Sequence, residues 1–123
     1  MARTVLNPVT LTANAVTSDP AGTSVDPTND HSFLPDIPTT QYLIRVTNTT
    51  GSSKTVTLVA GVGSESGVGD LSVALGAGDV TPVTKWFGPF TSARFQQSDG
   101  TVHVNIPASM TGTITVFKIP RRF

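Results

Sequence analysis

The sequence predicts an all-β chain: an antiparallel β-sandwich, jelly-roll-like or Ig-like, of about seven to eight short strands. Three observations predict it. In Thr101-Val102-His103-Val104-Asn105-Ile106 every second residue is apolar and β-branched, and a period of two lines one face of a strand. Ser98-Asp99-Gly100 precedes that run, and Asp-Gly between two alternating runs is a strong hairpin signal, because the tight turn asks for positive φ. No window places apolar residues at i, i+3, i+4 and i+7, and 11 glycines and 9 prolines interrupt the chain, so no helix is expected.

The elements follow in order. Residues 1–16 form an N-terminal strand or arm; the strand candidate is 5–15, with Val9, Leu11 and Ala13 on one face. Pro8 lacks a donor and suits an edge strand or a strand start. Residues 17–40 are a Pro- and Asp-rich loop built on turn chemistry, Asp19-Pro20-Ala21-Gly22 and Asp26-Pro27-Thr28-Asn29. A structureless stretch of that length inside a compact domain is either functional or hides a short strand. It holds four of the eight acidic residues, Asp19, Asp26, Asp30 and Asp36, and no basic one.

The sandwich body is expected over 41–119. A strand at 41–48 sets Tyr42, Ile44 and Val46 on one face, the polar turn 49–53 follows, and 54–60 returns as the second arm of a hairpin. Residues 61–78 are glycine-rich and read as a mobile loop with one short strand at Leu71–Leu75. A strand at 80–87 ends at Gly88-Pro89, 90–97 opens the hairpin into 101–106, and 113–119 is the last strand before a basic tail at 120–123. One domain spans 1–123, long enough to bury roughly two-thirds of its unfolded surface.

Composition excludes several functions. Charged residues are only 13% and the formal net charge is zero, with no basic stripe, so no nucleic-acid partner is expected. There is no cysteine, which rules out disulfides and thiolate metal sites. No apolar run approaches the ~20 residues that span a bilayer, so no membrane partner is expected. The N-terminus shows no apolar signal-peptide core, which places synthesis in a cytoplasm.

Catalytic patterns also fail. The two histidines, His31 and His103, read as surface residues, no G-x-S-x-G elbow occurs, and no acid is placed to orient a base. The glycines of 61–78 make neither G-x-G-x-x-G nor G-K-[ST]. Asp26, Asp30 and Asp36 lack the EF-hand spacing. Glu65 is the only glutamate, so no glycosidase pair suggests itself. The expectation is a protein that is not an enzyme and has no cofactor and no metal.

Two features ask for more than a scaffold. Trp86-Phe87-Gly88-Pro89-Phe90 sets three aromatics around a break, as a core plug or as an exposed platform for a sugar or a protein partner. In the last strand Ile114 and Val116 occupy one face while Phe117 and Ile119 occupy the other. A strand apolar on both faces needs cover on both, from the N-terminal arm or from another subunit. The acidic loop and the basic end, Lys118, Arg121 and Arg122, suggest a meeting across a subunit boundary. The candidate subunit or capsid contacts are Phe33, Leu34, Ile37, Trp86, Phe117, Ile119, Arg121, Arg122 and Phe123.

The chain also resembles a family. Tyr42-Leu43-Ile44-Arg45-Val46-Thr47-Asn48-Thr49-Thr50-Gly51, then Thr55-Val56-Thr57-Leu58, Phe87-Gly88-Pro89-Phe90, Ala93-Arg94-Phe95 and Asp99-Gly100-Thr101-Val102-His103-Val104 resemble small β-sandwich head decoration (capsid cement) proteins of tailed bacteriophages. The loop from Ala21 to Asn29 ahead of Phe33 fits the same likeness. The resemblance implies a virion structural protein on the outer capsid surface, bound to the major capsid protein lattice and to copies of itself as a homo-trimer or another symmetric cluster. It carries over no catalytic residue. Similar strand-turn patterns occur in carbohydrate-binding modules, so a carbohydrate- or receptor-binding module is the alternative, followed by a tail or neck component.

Overall fold

The computed structural model describes residues 3–12, 14–36 and 41–119. The chain is predominantly β, in two mixed five-stranded sheets. The strands are β1 (Thr4–Val5), β2 (Val9–Thr10), β3 (Thr23–Ser24), β4 (His31–Phe33), β5 (Tyr42–Asn48), β6 (Lys54–Leu58), β7 (Leu71–Leu75), β8 (Val83–Phe87), β9 (Val102–Asn105) and β10 (Gly112–Lys118). The first sheet runs β1-β4-β9-β6-β7; the second runs β2-β10-β5-β8, with β3 also paired to β10.

Alternation explains which side chains meet. Ile44 and Val46 of β5, Ile114 and Val116 of β10, Val56 and Leu58 of β6 and Val102 and Val104 of β9 are all buried in one core, closed by Phe33, Tyr42, Phe87, Phe90 and Phe95. The inward faces of both sheets supply it, a sandwich-like arrangement. The core is anchored by β5 and β10, paired over seven residues from Gly112↔Asn48 to Lys118↔Tyr42.

Several expectations need correction. The strand at 5–15 is two strands. Pro8 lies between β1 and β2, which pair in parallel with β4 and β10 and so enter different sheets. Pairing is therefore mixed rather than antiparallel throughout. Strands 41–48 and 54–60 do not form a hairpin, because β5 lies in the second sheet and β6 in the first. The buried Asn48 side chain holds that crossing: its Nδ2 donates to the carbonyls of Ser52 (3.1 Å) and Gly76 (2.9 Å), and its Oδ1 accepts the Thr50 N–H at 2.9 Å.

The strand at 90–97 is instead the four-residue helix α1 (Ser92–Phe95). Phe90 and Phe95 are five apart, so a strand would send them to opposite faces. The helical turn brings both into the core, ring against ring at 5.8 Å. The expected hairpin is reduced to a turn and one bridge, Gln96↔Val102: the Gly100 N–H closes the turn on the Gln97 carbonyl at 2.9 Å, Gly100 but not Asp99 takes positive φ (+89°), and the Thr101 N–H bonds to Asp99 Oδ1 at 3.1 Å. With a second short turn at Ser66–Val68, the chain is not helix-free. The glycine loop, finally, is packed at its start. A Cβ at Gly61 would overlap the Gln96 backbone, and the Gly61 N–H bonds to the Arg94 carbonyl at 2.7 Å.

Segment 17–36 does hide strands, β3 and β4.

Candidate functional site

The outer face of the second sheet carries the most chemistry. Register sets its side chains in rows. Phe117, Thr115 and Thr113 of β10 stand opposite Leu43, Arg45 and Thr47 of β5, and Arg45 and Thr47 stand opposite Trp86 and Thr84 of β8. In an ordinary one-sided sheet this face would be polar and wet. Here residues 17–20 fold back over it.

Arg45, only 8% exposed, fastens that segment. Its guanidinium pairs with Asp19 and donates to the Pro20 carbonyl at 2.7 Å and to Thr115 Oγ at 3.1 Å. It also lies over the Phe117 ring, 5.3 Å from the centroid. Trp86 also leans on Phe117, with centroids 5.4 Å apart and planes 32° apart. The second apolar face of β10 is therefore covered by the chain itself, by the N-terminal segment and Trp86.

Trp86 remains 53% exposed beside an open groove of about 590 Å³, lined by Asp19, Pro20, Ala21, Arg45, Thr47, Thr84, Trp86 and Thr113. A smaller apolar depression of about 240 Å³ between Leu11, Leu43, Phe117 and Trp86 adjoins it. Thr47 and Thr84 hydroxyls bond to each other at 2.8 Å.

The other outer face, on the first sheet, is different. By alternation β1, β4, β9, β6 and β7 present Val5, Ser32, His103, Asn105, Thr55, Thr57, Ser72 and Ala74 outward. Thr57 and Ser72 join hydroxyls across their strands at 3.2 Å. None of these side chains carries a formal charge with His103 neutral, and Arg3 bonds Asn105 Oδ1 at 2.7 Å from the margin.

The residues singled out by sequence separate. Phe33 is fully buried against Tyr42 and Phe90, at 5.5 and 6.3 Å between ring centroids, and offers no surface to a partner. Phe117 is 5% exposed beneath Trp86. Leu34 is 62% exposed just beyond β4, and Ile119 is half-buried, its N–H bonded to the Gln41 carbonyl at 2.7 Å. Ile37, Arg121, Arg122 and Phe123 lie outside the described residues. Two loop acids find partners within the chain: Asp19 meets Arg45 and Asp36 meets Lys118 at 2.8 Å. The Lys118 hydrogen bond lowers the Asp36 pKa, and Asp36 raises that of Lys118.

His31 is not the surface residue the sequence suggested. It is fully buried. The Asp26 N–H donates to its Nε2 at 3.0 Å, so Nδ1 carries the proton and donates to the Thr4 carbonyl at 3.2 Å. Burial pushes its pKa down. Asp26 accepts from Thr4 Oγ at 2.5 Å and from the Thr28 and Asn29 N–H groups at 3.1 Å, which holds its carboxyl at about 2. The cluster ties β1 to the loop before β4. No sequence pattern announced it, since its members are scattered over residues 4–31.

The second histidine is no base for its neighbour. Thr101 Oγ gives its proton to Asp99 Oδ1 at 2.6 Å, so the 3.1 Å contact with His103 Nε2 has the imidazole as donor. Among the described residues no group of three or more His, Asp or Glu gathers as metal ligands, and no helix is long and apolar enough to cross a membrane. Compared with known proteins, the chain matches no family model, no curated sequence and no solved structure.

Proposed function

We propose that the chain is a virion structural protein that decorates the outer surface of a bacteriophage capsid, bound to the lattice of the major capsid protein, with copies clustered symmetrically and a homo-trimer the first expectation. The observation that carries this reading is the charge-poor, short-chained outer face of the first sheet, whose strands present no charged side chain and which meets a charge at Arg3, bonded to Asn105. Depletion of charge is the compositional mark of a buried interface centre, and Val5, 65% exposed, and Leu34, 62% exposed, add apolar surface at its margin. The sequence resemblance to capsid cement proteins supports the same role, with the two packed sheets taken as a jelly-roll-like or Ig-like sandwich. The chemistry asked of such a protein is modest. A body that binds only the assembled shell stabilises it by mass action, and no reacting group is needed.

The test uses purified shells of the major capsid protein. The protein is expected to co-sediment with them and to raise their melting temperature. Thr57→Glu with Ser72→Glu places charge on the outer face without entering the core and should abolish binding. Absence of binding by the unaltered chain, or undiminished binding by the charged variant, overturns the reading.

A further inference from the structure

We propose that the groove on the outer face of the second sheet is a binding site for a neutral saccharide, with Trp86 as its stacking platform. This goes beyond the capsid role and stands on a different face. The starting point is an indole held in place yet left open. Phe117 supports one side of Trp86 at 5.4 Å, and 53% of the residue still faces solvent. A half-exposed indole braced against a second ring offers a ligand a flat apolar surface with a polar N–H at its edge.

The lining selects the class of ligand. Thr47, Thr84 and Thr113 line the groove, and a threonine hydroxyl has one donor and two acceptor sites. Thr47 and Thr84 spend only part of that capacity on each other. Asp19, whose side chain is 83% exposed, adds carboxylate acceptors. Arg45, 8% exposed and committed to Asp19, the Pro20 carbonyl and Thr115, fixes the position of Asp19 and Pro20 at the groove wall. A flat aromatic beside alternating donors and acceptors matches a sugar ring, which has an apolar C–H face and an equatorial rim of hydroxyls. The volume, about 590 Å³, falls within the roughly 300–1,000 Å³ of ligand sites.

Charge and polarity exclude the competitors. The groove's one cation is cancelled by its one anion, so nothing there favours a sialylated or sulfated glycan or a nucleic-acid phosphate. A lipid or apolar peptide would strip water from the exposed Asp19 carboxylate and from the spare hydrogen-bonding capacity of the threonine hydroxyls without replacing it.

Trp86 is the chain's only tryptophan, so its emission reports on this groove alone. The full chain is applied to a printed array of neutral and acidic glycans. The best neutral oligosaccharide is then titrated while tryptophan emission is followed. Binding to neutral glycans with a saturable emission change is expected. Trp86→Ala should weaken binding on the array and by calorimetry at least about tenfold. Thr84→Val, which keeps the platform, should weaken it less, with both variants folded by circular dichroism. No neutral glycan bound, a preference for acidic glycans, or binding unchanged in Trp86→Ala overturns the proposal. Shell binding is a separate measurement on a separate face, so failure of one leaves the other standing.

Discussion

Lowering the pH from 7.5 to 5 should destabilise this protein, and His31 should account for most of the loss. The imidazole is fully buried and neutral, with both nitrogens committed to the backbone. Protonating Nε2 would set its N–H against the Asp26 N–H. Burial therefore lowers the folded pKa below the ordinary 6.5. A depressed histidine contributes stability that is complete above the unfolded value. Below pH 6.5 the unfolded chain takes up a proton that the folded chain refuses, and stability falls until the folded pKa is passed. The steepest slope for one group is about 1.4 kcal/mol per pH unit. From pH 6.5 to 5 the loss is thus at most about 2 kcal/mol, a large share of a typical 5–15 kcal/mol total. His103 is also lowered, chiefly by burial, and acts in the same direction. The lowered carboxylates Asp26, Asp36 and Asp99 begin to matter only near and below 3.8, outside this window. Urea unfolding at pH 7.5 and 5 measures the loss, in the unaltered protein, in His103→Asn and in His31→Gln. His103→Asn should keep most of the pH dependence and His31→Gln should lose it. Equal pH dependence in all three, or an imidazole NMR titration of His31 at or above 6.5, would refute the reasoning.

Two further outcomes follow from the packing. Phe33→Ala removes a fully buried ring that touches Tyr42 and Phe90, and urea unfolding should show a cost of about 3–5 kcal/mol. Arg45→Ala and Asp19→Ala break the same ion pair unequally: Asp19 is exposed and its loss should cost under about 1 kcal/mol, while Arg45 is buried on three partners and Phe117 and should cost about 2–3 kcal/mol. Equal costs in paired unfolding curves would show that the segment 17–20 is not fastened by the arginine.

The reach of the sequence can be judged strand by strand. Strand positions such as Leu71–Leu75, Tyr42–Asn48 and Val102–Asn105 were legible because alternation and turn chemistry are local. Trp86 was legible as one of three aromatics around the Gly88-Pro89 break, fit either to plug the core or to form an exposed platform. The groove was not, because Asp19, Arg45, Thr84 and Thr113 are brought together only by register between β5, β8 and β10 and by the fold-back of 17–20. His31 was misjudged for the same reason, since a polar loop residue gives no local sign that β1 and β9 will enclose it.

Taken alone, the amino-acid order determined that this chain would be built of short strands with hydroxyl-rich, nearly uncharged outer surfaces. Period-two patterning and Asp-Gly or Pro turns act within a few residues. Tertiary structure decided which strands are neighbours: that β5 and β6 part into different sheets, that Pro8 divides the first strand between both, and that Phe90 and Phe95 close the core through a helical turn. Those choices depend on how a shared core fills, a property of residues far apart in the chain, and no local pattern encodes it.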